Sequence, residues 1–184
     1  APGVRLRFIN KTDKDSTLLR EGRVDLETGV VDPTASPEVL TQALFRDRLV
    51  GVVRSGHPLS RGDVSVERYA AGRHVYVSRR GQDRGQIDDM LEAQGLTRQI
   101  NTVVAGFATA IALARDTDLI ASVPERYTAH QREGLCSFAL PLALPTFTVS
   151  MLWHPRLDAD LAHRWSRGCL REVCGLQQVQ SPLP

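Results

Sequence analysis

A turn of small residues at positions 105–109, with sequence AGFAT, is the place in this chain best suited to a small-molecule ligand. It joins a predicted strand to a predicted helix, and the first turn of a helix presents backbone N–H groups that attract anions. Gly106, Ala108 and Thr109 are small enough for a ligand to approach these donors. Phe107 can stack on a ring. The alternative is that Gly106 only joins the two elements and that Phe107 belongs to the core.

A second candidate is the polar stretch at positions 78–84, with sequence SRRGQDR, which also follows a predicted strand and precedes a helix. It supplies Ser78, Arg79 and Arg84 as potential ligand contacts. A cation in the first turn of a helix opposes the helix macrodipole, so Arg84 is easier to understand if an anion shares the site. The alternative is a solvated Arg84 whose charge is neutralised by the neighbouring Asp83.

The ends of two further strands complete the predicted ligand-binding residues. In open α/β sheets, ligands collect beyond the carboxyl ends of the strands. This rule adds Thr28 and Gly29 from an early strand, and Ser122 and Pro124 from a later one.

The histidines give no sign of a metal site or a catalytic centre. The five of them show no metal-ligand spacing. His57 and His154 precede prolines and are expected to be structural, and His163 is expected on the exposed side of the last helix. The chain also lacks a Gly-rich phosphate loop, a nucleophile elbow and an HExxH motif. We therefore expect no enzyme activity and no cofactor.

Cysteines and paired carboxylates are equally uninformative about chemistry. Cys136, Cys169 and Cys174 are odd in number, and the last two would face different sides of a helix, which disfavours a disulfide framework or a metal site. Asp88 and Asp89 are adjacent on a predicted helix and point in different directions, as on a solvated face.

The overall composition is that of an ordinary globular chain. Among 184 residues, 23 basic and 21 acidic side chains give a formal net charge of +2, too balanced to indicate nucleic-acid binding by this segment. No apolar run approaches the roughly 18 residues that a membrane span requires. The first ten residues lack the pattern of a secretory signal, so Ala1 is interpreted as a fragment boundary. A reducing cytoplasm is the expected compartment.

Strands and helices alternate along the chain, which predicts an α/β fold with the candidate residues at strand ends. Strands are predicted at 4–9, 24–29, 39–44, 48–54, 74–78, 100–104, 119–122, 135–140 and 147–153. Helices are predicted after Ser16, near 87–95, at 107–114, briefly from Pro124, and from about 158 onward. The first strand, helix and strand would form a βαβ unit with parallel strands. In the last helix, a buried stripe is expected from Leu157, Leu161, Trp165 and Cys169. Residues 33–37 are expected to form a loop, and residues 177–184 a frayed tail.

Five short motifs occur in a characteristic order. They are GRVDL at 22–26, LFRDRLV at 44–50, GHPL at 56–59, DLIASVP at 118–124, and WH at 153–154 followed by DLAHRWSR at 160–167. Each motif alone is weak. Together, across residues 1–171, the chain resembles the sensor domain of LysR-type transcriptional regulators, especially the branch that responds to aromatic acids and plant flavonoids.

The resemblance implies a fold like that of type II periplasmic binding proteins, with two α/β lobes joined by two crossover strands and an effector in the cleft. Regulatory lobe I is expected to contain 1–72 and 153–184, and lobe II 73–152, because a Gly- and Pro-rich stretch at 55–73 ends the first lobe. A first strand and helix, and the DNA-binding helix-turn-helix, are expected to be missing from this chain. The expected partners are a small aromatic or anionic effector, further copies in a dimer or tetramer, and DNA only through the missing domain.

Two other functions are compatible with the same scaffold. An exported solute-binding protein of a transporter would share the fold and the cleft, but it would need an export signal, and the Trp153-His154 and Trp165-Ser166-Arg167 elements count against it. An enzyme would need a convergent acid, base or nucleophile, and the sequence presents none. The reading frame upstream would distinguish a regulator from an exported protein.

Overall fold

The computed structural model describes residues 3–9, 11, 16–31 and 38–176. The chain divides into two compact units, one formed by 1–45 with 148–184 and the other by 46–147. This division differs from the predicted one at 72/73 and 152/153, because the strand at 49–54 pairs with two strands of the second unit. The predicted loop at 33–37 and the predicted tail at 177–184 lie outside the described residues.

Eight strands and five α-helices form the two units within the described ranges. The strands are β1 Glu27–Val30, β2 Leu40–Asp47, β3 Leu49–Arg54, β4 Arg73–Val77, β5 Gln99–Val104, β6 Leu119–Pro124, β7 Leu135–Ala139 and β8 Phe147–Trp153. The helices are α1 Thr17–Arg20, α2 Val66–Ala70, α3 Gln86–Glu92, α4 Phe107–Asp116 and α5 Leu161–Leu176. Short 3-10 helices occur at Pro58–Ser60, Ala129–Arg132 and Pro155–Leu157. None of the helices seen in the described parts of the chain is long and apolar enough to cross a membrane.

The second unit is built on a five-stranded mixed sheet with the order β5-β4-β6-β3-β7. Strand β4 is parallel to β5 and β6, whereas β3 is antiparallel to β6 and β7. The nearly continuous apolar run of β3 suits this central position, because a strand covered on both faces can be apolar throughout.

Successive side chains of β6 point to opposite faces of this sheet. Leu119, Ala121 and Val123 pack with α4 in one core cluster. Ile120 packs in a second cluster with α2 and α3, through Tyr69 and Leu91 among others. This alternation follows from the two-residue period of a strand.

Helix α3 ends as the sequence predicts. Gly95 has a φ of +71°, a conformation that favours glycine, and the Leu96 amide donates to the Leu91 carbonyl at 2.9 Å. In contrast, α2 was not predicted. Its N-terminus is capped by Ser65, whose hydroxyl accepts from the Arg68 amide at 3.2 Å.

The first unit contains a three-stranded sheet with the order β1-β8-β2. Strand β1 is antiparallel to β8, from Glu27 opposite Leu152 to Val30 opposite Val149. The predicted parallel βαβ unit is therefore wrong, and residues 4–9 form no strand and are exposed, with Phe8 92% exposed. Their alternating pattern lacks a partner strand among the described residues.

Helix α5 begins where predicted, but the prediction of which of its faces is buried is wrong. Asp160 accepts from the His163 amide at 2.7 Å, as a helix cap does. The apolar stripe is largely exposed, with Leu161 at 79% and Trp165 at 49% exposed. Instead, His163 and Arg167 are buried.

This polar face of α5 can be buried because its side chains have partners elsewhere in the same unit. His163 donates from Nε2 to the Asp25 carbonyl at 2.8 Å, so the prediction that it is exposed is also wrong. The Arg167 guanidinium lies 4.4 Å from the centre of the Trp153 ring and donates to Asp158.

Pro124 does not open a helix as predicted. It ends β6, and its carbonyl accepts from both the amide and the hydroxyl of Thr128, at 3.2 and 2.5 Å. The proline is the last, buried residue of the strand, and residues 125–128 form a turn rather than a helix.

Candidate functional site

The carboxyl ends of three parallel strands lie at one edge of the five-stranded sheet. Val77 of β4 is opposite Val104 of β5, and Val75 of β4 is opposite Ala121 of β6. The Ser78 amide extends the first pairing by donating to the Val104 carbonyl at 2.8 Å. The segments after these strands therefore share one edge, as predicted. Ser78 follows β4, the turn at 105–109 follows β5, and Pro124 is the last residue of β6.

The N-terminus of α4 is open at this edge. Gly106 precedes the helix with a φ of −150°, and no side chain caps the helix there. A Cβ at Gly106 would meet no atom within 4 Å. Ala108 and Thr109 in the first turn are exposed. These features leave room for a ligand to reach the N–H groups of the first turn.

Phe107 lies partly in the core, which is one of the two alternatives that the sequence left open. It is half-buried and packs against the core cluster under α4. Its ring also meets the ring of Tyr127 edge-to-face, with centroids 6.3 Å apart and planes at 69°. Tyr127 is 61% exposed, so this pair continues the core out to the surface.

Tyr127 was missed by the sequence analysis, and so was the residue that holds its turn in place. Asp47 is 5% exposed, and its carboxylate accepts from the backbone amides of Arg48, Arg126 and Tyr127 at 2.8, 2.9 and 3.0 Å. A carboxylate with three N–H donors fixes the turn after β6. The only signal in the sequence was Asp47 within the LFRDRLV motif.

The 78–84 segment follows β4 but is held largely by itself. The Ser78 hydroxyl accepts from the Gln82 amide at 3.0 Å, so it stabilises the loop. Arg79 is exposed. Arg84 forms ion pairs with Glu92 and with Asp89, the latter at 3.4 Å, and its hydrogen bond with Glu92 raises the pKa of Arg84. The acids of α3, rather than Asp83, offset its charge.

Ser122 belongs to a hydrogen-bonded chain on the face of the sheet that carries α2 and α3. Its Oγ lies 2.9 Å from the Tyr69 hydroxyl, and Arg98 donates to that hydroxyl from Nη1 at 3.2 Å. Arg98 is held in turn by two bonds to Asp88, at 2.7 and 2.9 Å. Burial alone would raise the pKa of Asp88. Hydrogen bonds from Arg98 and from the Gly85 amide, together with the charge of Arg98, outweigh burial, and the pKa of Asp88 is lowered.

The direction of the hydrogen bonds in this chain follows from donor counting. Arg98 can only donate, so the Tyr69 oxygen accepts from it. Tyr69 is fully buried, and burial raises the pKa of its hydroxyl, which stays protonated. Its hydrogen is satisfied if it points to the oxygen of Ser122. The hydrogen of the Ser122 hydroxyl is then free to be donated to another group.

The predicted contacts do not all lie on one surface. Ser122 follows Ile120 by two residues and shares its face of the sheet, while Phe107 packs on the opposite face with α4. Thr28 and Gly29 belong to β1 of the other unit, opposite Met151 and Ser150 of β8. The parts of the chain that the structure describes contain no cluster of three metal-binding side chains.

A family model described as the LysR substrate binding domain matches residues 1–175. The chain belongs to this family. The family contains the LysR-type regulators, which agrees with the order of motifs in the sequence.

Among relatives, the chain is 31% identical to the HTH-type transcriptional activator NahR of Pseudomonas putida over 166 residues, covering 86% of this chain and 55% of that protein. It is 34% identical to nodulation protein D 1 of Rhizobium tropici over 175 residues, covering 92% of this chain and 56% of that protein. The chain thus spans about half the length of these relatives. The first of these relatives is named as a transcriptional activator.

Solved structures support the α/β fold class predicted from the sequence. The probable transcriptional regulator PA0477 of Pseudomonas aeruginosa matches with a TM-score of 0.79 and 32% identity, over 94% of this chain and 57% of that chain. The effector-binding domain of QuiR in complex with shikimate matches with a TM-score of 0.66 and 15% identity, over 86% and 75%. The second likeness concerns the fold alone.

Proposed function

We propose that this chain is the effector-binding domain of a LysR-type DNA-binding transcriptional regulator and that it senses a small aromatic or anionic molecule. The observation that carries the proposal is the family match across residues 1–175. The edge of the sheet where β4, β5 and β6 end supplies the chemistry. Effector binding there is favoured by the same rule that places ligands at strand ends in other α/β sheets.

The open N-terminus of α4 suits the acidic group of such an effector. The helix is ten residues long, and Gly106 leaves the approach to its N–H groups clear. The rings of Phe107 and Tyr127 suit the aromatic part, because an exposed edge-to-face pair can accept a third ring. Ser122 has a hydroxyl hydrogen to donate to an acceptor on the ligand.

The other predicted contacts remain proposed ligand contacts, although some of them already have partners within the protein. Ser78 and Arg84 have internal partners, so a ligand would have to compete with them or share them. Arg79 is exposed beside them. Thr28 and Gly29 are proposed contacts of the first unit.

In the full-length protein, we place this domain in a cytoplasmic regulator that self-associates as a dimer or tetramer. DNA would be bound by a domain outside this chain, because the net charge of +2 gives this segment no strong attraction to nucleic acid. The effector would act by binding one arrangement of the oligomer more tightly than another.

Calorimetric titration with benzoate, salicylate, shikimate and uncharged benzamide tests the sensing role. We expect at least one of the acids to bind more tightly than benzamide. Tyr127→Ala should weaken binding of an aromatic acid by about threefold to tenfold, the value of one aromatic contact. Trp165→Ala is the matched control, since it removes another exposed ring, on α5. Failure of all three acids to bind, or an equal loss in both variants, would contradict the proposal.

A further inference from the structure

The hydrogen-bonded network from Arg98 through Tyr69 to Ser122 lies entirely within the second unit. The Arg98 side chain is 1% exposed and Tyr69 is fully buried, whereas Ser122 is only half-buried. The network therefore begins in the interior and ends at a residue that is partly open to solvent.

Tyr69 is packed on more than one side, which fixes the position of its hydroxyl group. Its ring meets the ring of His74 edge-to-face, with centroids 4.7 Å apart, and the ring of Phe138, with centroids 6.5 Å apart. The Tyr69 carbonyl is also bonded to Nε2 of His74 at 2.9 Å. A ring held in this way keeps its hydroxyl between Arg98 and Ser122.

The strand next to Ser122 is covered by an aromatic ring. Gly51 of β3 is opposite Ser122 in the sheet, and a Cβ at Gly51 would collide with the ring of Phe138. The glycine therefore lets this ring lie over β3 beside Ser122. Hydrogen bonds in such apolar surroundings are stronger than those in water.

The order of donors sets the direction of the Ser122 hydroxyl group. Arg98 donates to the Tyr69 oxygen, so the Tyr69 hydroxyl can donate to the Ser122 oxygen. The hydrogen of Ser122 then has no acceptor within the residues that the structure describes. A ligand oxygen that accepts this hydrogen completes the network, whereas a ligand group that only donates leaves the hydrogen unpaired. The positive charge of Arg98 polarises both hydroxyl groups in the same direction.

We propose that Arg98 and Tyr69 are positioning residues that hold Ser122 as a hydrogen-bond donor, so that the ligand presents an acceptor oxygen to Ser122. The inference rests on the proposed function, since the ligand is the effector. It adds a requirement on the chemistry of that effector. An oxygen of its carboxylate, or of a carbonyl group on its ring, lies against Ser122.

Calorimetric titration of Ser122→Ala tests this contact and distinguishes the two sources of the oxygen. The probes are benzoate, 3- and 4-acetylbenzoate, and 3- and 4-isopropylbenzoate, which match the acetyl compounds in size but lack the carbonyl. If Ser122 binds the carboxylate, the variant should bind all of these acids about fivefold to tenfold more weakly, the value of one hydrogen bond. If Ser122 binds a ring carbonyl, only the advantage of an acetylbenzoate over its isopropyl counterpart should disappear.

Two further serine variants complete this experiment. Ser122→Thr keeps a hydroxyl group at the same position and should bind the acids like the wild type. Ser137→Ala is the matched control, because Ser137 is an exposed serine of β7 in the same sheet. It should leave the affinities unchanged.

A double-mutant cycle tests the positioning role of Tyr69. Tyr69→Phe keeps the ring and removes the hydroxyl, and it should weaken binding of the affected acids by about threefold. In the Ser122→Ala background, the same change should have no further effect on affinity, because Tyr69 acts through Ser122. Tyr76→Phe removes a hydroxyl that donates to the Arg84 carbonyl at 3.1 Å, and its effect should be equal in the two backgrounds.

Arg98→Lys gives a second cycle if Tyr69→Phe fails to fold. Lysine keeps the positive charge near Asp88 but loses the planar fork that reaches both Asp88 and Tyr69. Its effect on affinity should also disappear in the Ser122→Ala background.

The outcomes separate this inference from the proposed function. Equal affinities of the wild type and Ser122→Ala for every acid would overturn the contact and leave the sensing role standing. An equal loss from Tyr69→Phe in both backgrounds would overturn the positioning role. The donor role of Ser122 is wrong if Ser122→Ala weakens binding of 3- or 4-aminobenzoate, whose amino group donates, but not of the other acids. If the wild type binds none of the acids, the proposed function fails and this inference fails with it.

Discussion

Two buried charged side chains, one in each unit, differ in how many of their polar atoms have a hydrogen-bond partner. The Arg98 side chain is 1% exposed, and its guanidinium makes two bonds to Asp88 and one to Tyr69. The Glu27 side chain is 8% exposed, yet only one of its oxygens has a partner among the described residues. Both pay for leaving water, but only Arg98 has a hydrogen-bond partner for each of its charged side-chain atoms, the three guanidinium nitrogens.

The difference indicates different roles. A charge whose bonds are all made inside the protein stabilises the arrangement of its neighbours, and in this case it orients Ser122 through Tyr69. A buried charge with an unused acceptor lowers stability instead, because its oxygen has lost water without gaining a hydrogen bond from the described residues. Removing partners from the hydrogen-bonded network around Arg98 tests this contrast.

The largest effect is expected from Asp88→Ala, which leaves Arg98 buried without its carboxylate. We expect the free energy of unfolding to fall by about 3–5 kcal/mol, the usual cost of breaking a buried ion pair. Urea denaturation measures this loss. Asp89→Ala removes the neighbouring acid, which is exposed on the same helix, and should cost far less. Similar losses in the two variants would mean that the Arg98 network does not anchor the fold.

A smaller effect is expected from pH, through His74 beside the same network. His74 is fully buried, its Nε2 bonds to the Tyr69 carbonyl at 2.9 Å, and burial with the nearby Arg98 lowers its pKa to about 4. Between pH 6.5 and 4 the unfolded chain binds a proton here that the folded chain does not. The contribution of His74 to stability should therefore be lost on acidification through this range, by up to about 3 kcal/mol, and this loss is complete below pH 4.

Denaturation curves from pH 7 to pH 4 measure this loss. His74→Gln should remove most of the pH dependence, whereas His130→Gln, at an exposed position, should keep it. An unchanged pH dependence in His74→Gln would show that other groups cause the acid sensitivity.

The smallest effect on stability is expected from Arg84→Ala. Arg84 is exposed, and its ion pairs with Glu92 and Asp89 lie at the surface, so the urea midpoint of the variant should stay close to that of the wild type. In the full-length protein, the variant should respond more weakly to an acidic effector and bind DNA normally. Reporter induction and calorimetry measure both, with Arg61→Ala as an exposed control. Unchanged effector affinity would remove Arg84 from the site.

Much of the fold could be predicted because it depends on local pattern. The strands at 49–54, 73–77 and 147–153 follow from apolar runs, and the turn after α3 follows from Gly95. The face of α5 could not be predicted this way. Its buried side is polar, because His163 bonds to Asp25, 138 residues away in sequence, and no periodicity reports such a partner.

The candidate site, too, could be predicted only where it depends on local sequence pattern. The turn at Gly106 and Phe107 follows from a strand, a small residue and a helix in sequence. Tyr127 could not be found, since its position depends on Asp47, 80 residues earlier.

The most direct test of the sensing role is the change in backbone amide NMR shifts when the acid that binds most tightly is titrated into this chain. The account predicts the largest changes at 105–109, at the start of α4, and at Tyr127 and Ser122. Shifts that leave these residues unchanged, while residues elsewhere respond, would contradict it.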